Sequence, residues 1–332
     1  MDTANLTYFA YALDLRWPID IGGNKVDRRR GVLVCATDSE GRRGWGDAAP
    51  LDGYGPDKYD EVIQAIATEA VTPSLAFAQD CAHASLKAAS QGTSLSAALG
   101  EIKRNCLLNT SLIGGQIQAA AISKDSDEEK VAKLKVGRES VQHDVARLSE
   151  LADAHPSLLI RLDANARWSE AQAREFEKLS ARYHDRIEFI EEPWAACFED
   201  DNRESFKIRL AIDESRDAHN WHHADVVVLK PSLMGSIRTT LKIARDLQAA
   251  RKAVVFSSAY ESGVGMCAIA SLASLFDGGA VGFGTYGALK TDVGARISAF
   301  DQAEICLSNL PDPSSYQPDL SCLTEIPYSR TN

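Results

Sequence analysis

The sequence predicts an α/β fold, a barrel of eight parallel strands preceded by a smaller α+β domain. Three observations lead there. From Val131 to Ser258 short apolar runs recur, most ending on a charged or polar residue: KVAKLKVG on Lys135, LLIRLDAN on Asp163, IEFIEEP on Glu191 and Glu192, IRLAIDES on Asp213, DVVVLKP on Lys230 and AVVFSSA on Ser257 and Ser258. The steps between Lys135, Asp163, Glu191, Asp213, Lys230 and Ser257 are 28, 28, 22, 17 and 27 residues, and a strand, a loop and a helix of about ten to fifteen residues need that length. Before this stretch the order is different: strands come first and helices second, which is the pattern of an α+β domain.

Residues 1–100 form that first domain. Thr7–Leu15 and Gly31–Thr37 read as strands, and Arg42–Ala48, with Gly44-Trp45-Gly46, as a third that another backbone approaches closely. Together they make an antiparallel meander. Two helices follow. One is Asp57–Ala70; the other is capped by Thr72, has Pro73 at its first position, and carries Leu75, Ala78, Ala82 and Leu86 on one face. Gln91–Gly100, rich in Ser and Gly, reads as the exit linker.

The barrel spans residues 101–310. Leu107–Ile113 is its first strand and Asp127–Lys133 a short helical approach to the second. Near-continuous Val/Ile/Leu runs suit strands buried on both faces. Helices 140–152, 169–183 and 236–250 each carry a single apolar stripe, as an outer ring on a sheet requires. Segments 199–207 and 216–223 leave room only for short helices, and Ala280–Phe283 is the last strand. The tail, 311–332, is rich in Pro and Ser and is expected to return to the first domain.

Composition bounds the function. The 332 residues are 45% hydrophobic and 25% charged, with a net charge of −11, which argues against a nucleic-acid partner. Arg28-Arg29-Arg30 is the main basic cluster; it reads as a solvated loop, or as a loop from which one arginine reaches an anionic substrate. Seven cysteines (35, 81, 106, 197, 267, 306 and 322) are spread widely with no CxxC. That pattern argues against a disulfide framework and for a reducing compartment, the cytoplasm. Cys35 and Cys267 read as small core residues. The N-terminus lacks a basic stretch followed by an apolar block, and no run of about 18 apolar residues could span a membrane.

The polar strand ends carry the chemistry. Asp163, Glu191 and Asp213 fall on three consecutive strands, and neighbouring strands lie about 4.8 Å apart. Three carboxylates that close repel one another unless a cation sits among them. All-oxygen ligands favour a hard dication, Mg²⁺ by default with Mn²⁺ also admitted. The alternative is three unrelated surface carboxylates at loop starts. Glu192 and Glu214, one residue further along, turn to the other face and support the site. Lys133 and Lys135, two apart, share a strand face. Lys230, four strands on, is expected across the barrel mouth, so that a bound ligand has an amine on each side. The alternatives are a surface pair on a sheet edge for Lys133 and Lys135, and a salt bridge to Asp213 for Lys230. No histidine follows His223, so the last strands supply no histidine acid or base. His222-His223 reads as a helix-end pair. The one GxGxxG run, Gly282 to Gly287, reads as a close-packed turn after the last strand, and a helix start near Ser262 as a weak anion site.

Lys133-x-Lys135, Asp163-Ala-Asn165, Glu191-Glu192-Pro193, Asp213-Glu214-Ser215 and Lys230-Pro231 resemble the muconate-lactonizing-enzyme branch of the enolase superfamily, and within it the o-succinylbenzoate synthase family. Gly44-Trp45-Gly46, Pro50-Leu51, Pro73-Ser74-Leu75-Ala76-Phe77 and Arg161-Leu162-Asp163 match as well, so the resemblance covers almost the whole chain. It implies a modified TIM barrel, (β/α)₇β, under an N-terminal capping domain on which the tail packs. It implies Mg²⁺ on Asp163, Glu191 and Asp213, and dehydration of a small anionic cyclohexadiene acid to an aromatic one on a menaquinone or phylloquinone route. Lys135 would move the proton, Lys133 and Lys230 would stabilise charge, Ser257 and Ser258 would bind the substrate, and Arg161 and Asn165 would support the metal strand and the substrate site. Relatives with the same two lysines racemise N-succinylamino acids or epimerise dipeptides. A non-catalytic ligand-binding barrel is the reading from another class, and it predicts the loss of at least one acid or lysine.

Overall fold

A computed structural model of the chain describes residues 4–21, 24–113, 131–198, 206–213 and 218–327. The chain divides into two compact units. One comprises Met1–Leu107, Leu229–Arg245 and Phe256–Asn332; the other comprises Leu108–Val228 and Asp246–Val255.

The chain opens with β1 (Asn5–Ile21), β2 (Asn24–Thr37) and β3 (Arg43–Ala48), paired antiparallel in that order. β1 and β2 are far longer than Thr7–Leu15 and Gly31–Thr37. Cross-strand pairing extends them: Asp14 stands opposite Arg28, and Arg28 Nε reaches its carboxylate at 2.9 Å. The register shifts between Asp14 and Ile19, which accommodates Pro18, a residue without an N–H for the ladder. Arg28, Arg29 and Arg30 therefore lie in a strand and not in a loop, which corrects the sequence reading.

α1 (Tyr59–Thr68) and α2 (Pro73–Ser90) follow, and the Thr72 hydroxyl accepts from the Leu75 N–H at 3.4 Å. Leu75, Ala78, Ala82 and Leu86 of α2 are buried in one cluster with Val32, Val34, Ala36 and Ala48. Gly44 and Gly46 allow this closeness: a Cβ there would stand 2.2 and 1.9 Å from the carbonyl oxygens of Ala82 and Ala78. Where a linker was expected, α3 (Leu95–Leu99) forms, because the Ser94 hydroxyl caps it by accepting from the Ala97 N–H.

The expected first strand is split at Asn109 into β4 (Cys106–Leu108) and β5 (Thr110–Ile113). Then come β6 (Val131–Lys135), α4 (Val141–Ala154), β7 (Leu159–Asp163), α5 (Glu170–Leu179), β8 (Ile187–Glu191), β9 (Leu210–Asp213), β10 (Val226–Leu229), α6 (Ile237–Ala249), β11 (Ala253–Phe256) and α7 (Gly263–Ala273). β12 (Glu304–Cys306) and β13 (Thr324–Ile326) end the described chain. The helical approach to the second strand falls partly outside the described residues, and from Val131 the chain is strand. The helix expected to reach 183 stops at Leu179 and tightens into a 3-10 helix, Ala181–Arg186.

β5 to β11 form one sheet in chain order, and every pairing from β5 to β10 is parallel. Alternate side chains pack on one face, with Phe189, Ala211, Val226, Val228 and Val255 in one buried cluster. The eighth strand shrinks to a bridge. Gly282 pairs with Ser257, donates to the Phe256 carbonyl at 2.8 Å, and gives way at once to a 3-10 helix, Gly284–Ala288. β4 pairs with β12, and β13 adds antiparallel to β1 with Tyr8 opposite Ile326. Among the described residues Cys106 and Cys306 form a disulfide between β4 and β12, while Cys35, Cys81, Cys197, Cys267 and Cys322 are free. One bridge thus exists where the scattered cysteines suggested none. No described helix is long and apolar enough to cross a membrane.

Candidate active site

The sheet of parallel strands places polar side chains at its C-terminal ends because the strands run in register. Lys135 of β6 pairs with Asp163 of β7, and Asp163 with Glu191 of β8. Lys133 lies two residues before Lys135 on the same face. Its ammonium stands 2.9 Å from Asp163 Oδ2 and 2.5 Å from Glu191 Oε2. Lys135 stands 3.4 Å from the same Asp163 oxygen and donates to Asn165 Oδ1 at 3.1 Å. Asp163 and Glu191 are buried, at 3% and 4% exposure, so neither is a surface charge; Lys133 is half-buried between them.

Electrostatics binds Asp213 to this group. Burial works against the charge on Lys133, but Asp163, Glu191 and Asp213 outweigh it and hold the amine well above the ordinary lysine range. Burial pushes Glu191 up to about 7, with Asp163 and Asp213 adding to the rise and Lys133 opposing it. The acids thus raise one another and the amine among them, and burial adds to the rise of Glu191. The acids are not drawn to within 4.8 Å of one another; among the described residues only Cys106, Glu304 and Cys306 are, and two of those sulfurs are bonded together. Three oxygen donors at consecutive strand ends with a surplus of negative charge fit a hard dication.

The surrounding backbone is unusual. Asn165, Ala166 and Glu192 have φ of 47°, 56° and 39°, a region side chains rarely adopt. The turns are held because Ala164 donates to the Glu191 carbonyl at 3.2 Å and Ala166 to that of Glu192 at 2.6 Å. Glu192 Oε1 accepts from the Asp213 N–H at 3.2 Å, so this acid fixes the strand that carries Asp213. Glu214 lies outside the described residues.

Arg161 is 2% exposed. Its Nε donates to Glu188 at 2.7 Å, its Nη1 donates to Thr110 Oγ1 at 2.9 Å, and its guanidinium lies 4.8 Å from the Phe189 ring centroid. Its partners tie β7 to β8 on one side and, past β6, to β5 on the other.

Lys230 and the serine pair belong to the other unit. Lys230 follows β10, donates to the Tyr54 hydroxyl, and lies 4.5 Å from the centroid of that ring. Ser257 and Ser258 both donate to the Gly282 carbonyl at 3.1 Å, and Ser258 meets Thr285 Oγ1 at 2.5 Å. The glycine-rich run is thus a turn against the serines: a Cβ on Gly282 would stand 2.7 Å from Ser257 Oγ. Arg29 is 3% exposed and grips backbone carbonyls, while Arg28 pairs with Asp14 and Arg30 with Asp52. Sequence reasoning missed Tyr54 and Thr285. The available signals were an aromatic between two glycines, Gly53-Tyr54-Gly55, and a threonine inside Gly282–Gly287.

The family model for the enolase C-terminal domain-like fold matches residues 117–287. The o-succinylbenzoate synthase of Salmonella paratyphi B is 33% identical over 286 residues, which cover 78% of this chain and 85% of that protein. Among solved structures, a dipeptide epimerase from Enterococcus faecalis complexed with Mg and L-Leu-L-Tyr aligns with a TM-score of 0.80 at 20% identity, covering 95% of this chain and 99% of that one. An N-succinyl Arg/Lys racemase from Bacillus cereus aligns with a TM-score of 0.79 at 20% identity over 97% of each chain. At such identity the structures speak for the fold, a modified TIM barrel of (β/α)₇β type with an N-terminal α+β domain. The family match over half the chain and the curated relative over most of both lengths give one result: this chain is an enzyme that belongs to the enolase superfamily and, within it, to the o-succinylbenzoate synthase family.

Proposed function

We propose that this enzyme dehydrates 2-succinyl-6-hydroxy-2,4-cyclohexadiene-1-carboxylate to 2-succinylbenzoate, a cytoplasmic step toward menaquinone or phylloquinone. The observation that carries the proposal is the joint placement of Lys133 and Lys135 beside Asp163 and Glu191 at adjoining strand ends. Asp163, Glu191 and Asp213 would hold Mg²⁺. When bound, that ion supplies positive charge for the carboxylate whose α-carbon loses a proton.

The chain's own residues then divide the work. Lys135 takes the proton from the ring carbon α to the carboxylate and returns it to the hydroxyl, which leaves as water on the same face. The ring gains its third double bond and becomes aromatic. Lys133, already held as an ammonium by the acids, stabilises the charge that develops on the substrate carboxylate. Asn165 orients the Lys135 amine through their 3.1 Å contact. Lys230 contributes a second positive charge without transferring a proton, and Ser257 and Ser258 bind the succinyl end. The N-terminal α+β domain takes residues 1–100 and the barrel residues 101–310 in this reading.

Racemisation of N-succinylamino acids or epimerisation of dipeptides is the second reading, favoured by the names of the solved structures of the same fold. It needs proton transfer at both lysines. One assay separates the two: incubation with the cyclohexadiene acid, followed by the absorbance of the aromatic product, beside N-succinylamino acids in D₂O followed by mass. Aromatisation that stops with EDTA, returns with Mg²⁺ and disappears in Lys135→Ala is the expected result. A folded Lys135→Ala enzyme that keeps substantial dehydration, or a wild type that only exchanges α-hydrogen, would overturn it.

A further inference from the structure

Lys230 stands at the head of a short 3-10 turn, Pro231–Leu233, and its ammonium donates to the Tyr54 hydroxyl, at the edge of that ring and 4.5 Å from its centroid. A lysine stem has four flexible carbons, so a hydrogen bond at its tip defines where the charge stands.

The loop that presents Tyr54 is itself fastened. Tyr54 and Gly55 donate to the Leu51 carbonyl at 3.0 and 2.8 Å, and Gly53 takes a φ of 87° that a side chain would strain. Asp52 accepts from the Tyr59 N–H at 2.9 Å and from Arg30 at 3.4 Å, and Arg30 stacks 4.3 Å from the Tyr59 ring centroid. Arg29 donates to Pro50 and Ala49 carbonyls at 2.6 and 2.9 Å, and also to those of Tyr260 and Ala259 at 3.2 and 3.4 Å. One buried guanidinium therefore joins the start of the Tyr54 loop to the segment that follows Ser257 and Ser258.

We infer that Tyr54 is a positioning residue for Lys230 and that Arg29 and Arg30 hold the loop that carries it. The role rests on the reaction proposed above. A lysine tied to a hydroxyl on a fastened loop is a stationary cation, which suits charge stabilisation. A two-base racemase needs the same amine to travel with a proton, so Tyr54 favours dehydration over racemisation.

Tyr54→Phe keeps the ring and removes the hydroxyl; Tyr54→Leu removes both. Protein carrying ¹³Cε-lysine reads the contact directly, with Lys230→Arg assigning the resonance. The Lys230 ε-proton signal is expected displaced from the free-lysine position in wild type, and back at that position in both Tyr54→Phe and Tyr54→Leu. In the dehydration assay both variants are expected to lose about 10- to 100-fold in kcat with KM within about threefold. A merely structural Tyr54 would lower thermal stability and leave the lysine signal unmoved. An unshifted wild-type signal, or a Tyr54→Leu kcat within about twofold of wild type, overturns the inference. If the wild type exchanges α-hydrogen but does not dehydrate, the assignment of the reaction falls; the lysine signal and the Tyr54→Leu exchange rate then decide the positioning role separately.

Discussion

At Arg161 a single side chain joins three strands. Its guanidinium is buried, and its donors end on Glu188 of β8 and Thr110 of β5. Removing one member of a buried ion pair leaves the other uncompensated, which costs about 3–5 kcal/mol. Arg161→Leu is therefore expected to lower unfolding free energy by roughly the low end of that range, since Glu188 keeps some exposure, while Arg161→Leu with Glu188→Leu recovers a large part. Urea unfolding of the two variants checks this; a single variant within about 1 kcal/mol of wild type would show that the pair is not holding the sheet. The Arg-Leu-Asp run was visible in the sequence beside the acid it supports. Its partners were not, because Thr110 lies 51 positions away and Glu188 lies 27 away.

Elements were most legible where burial is complete. β6 to β11 stand where the apolar runs end on polar residues, because strands covered on both faces must be apolar until they emerge. The long β1–β2 ribbon was legible only in part, since its far half is charged and is held by cross-strand pairs such as Asp14 with Arg28. α7 is the opposite case. All its residues are buried, and the anions at its start are the protein's own: Asp47 accepts from the Ser262 N–H and hydroxyl at 2.9 and 2.8 Å, and Asp292 from the Gly263 N–H at 2.9 Å. The weak anion site expected near Ser262 is thus filled from β3 and from residue 292. Burial pushes Asp47 up to about 6 even though Ser262 and Tyr11 donate to it. The folded state keeps that proton while the unfolded chain releases it near the usual carboxylate value. Stability from this group is therefore fully present below about pH 4 and is lost as pH rises to about 6, at roughly 1.4 kcal/mol per pH unit. Asp47→Asn is expected to flatten that slope in denaturant titrations between pH 4 and 6. An unchanged slope would mean that Asp47 ionises as freely folded as unfolded.

At the scale of the whole chain, the link that sequence could least reveal is the bond between Cys106 and Cys306, which are 200 residues apart. Pairing depends on β4 leaving the parallel sheet to meet β12, and neither strand has the length or periodicity to announce itself. The bond ties the entry of the barrel segment to a strand near the chain's end, so it constrains most of the unfolded chain. A bridge across so long a loop stabilises by about 2–4 kcal/mol, less any strain it imposes. Cys106→Ser with Cys306→Ser is expected to lower stability by that order and to make it indifferent to added dithiol, whereas wild type should fall to the variant's level on reduction. Thiol titration of denatured protein gives the independent count: five reactive thiols before reduction and seven after. Seven thiols without reductant would mean that the two cysteines face each other unbonded, and the stability difference between wild type and the double variant would then shrink to the packing of two small side chains.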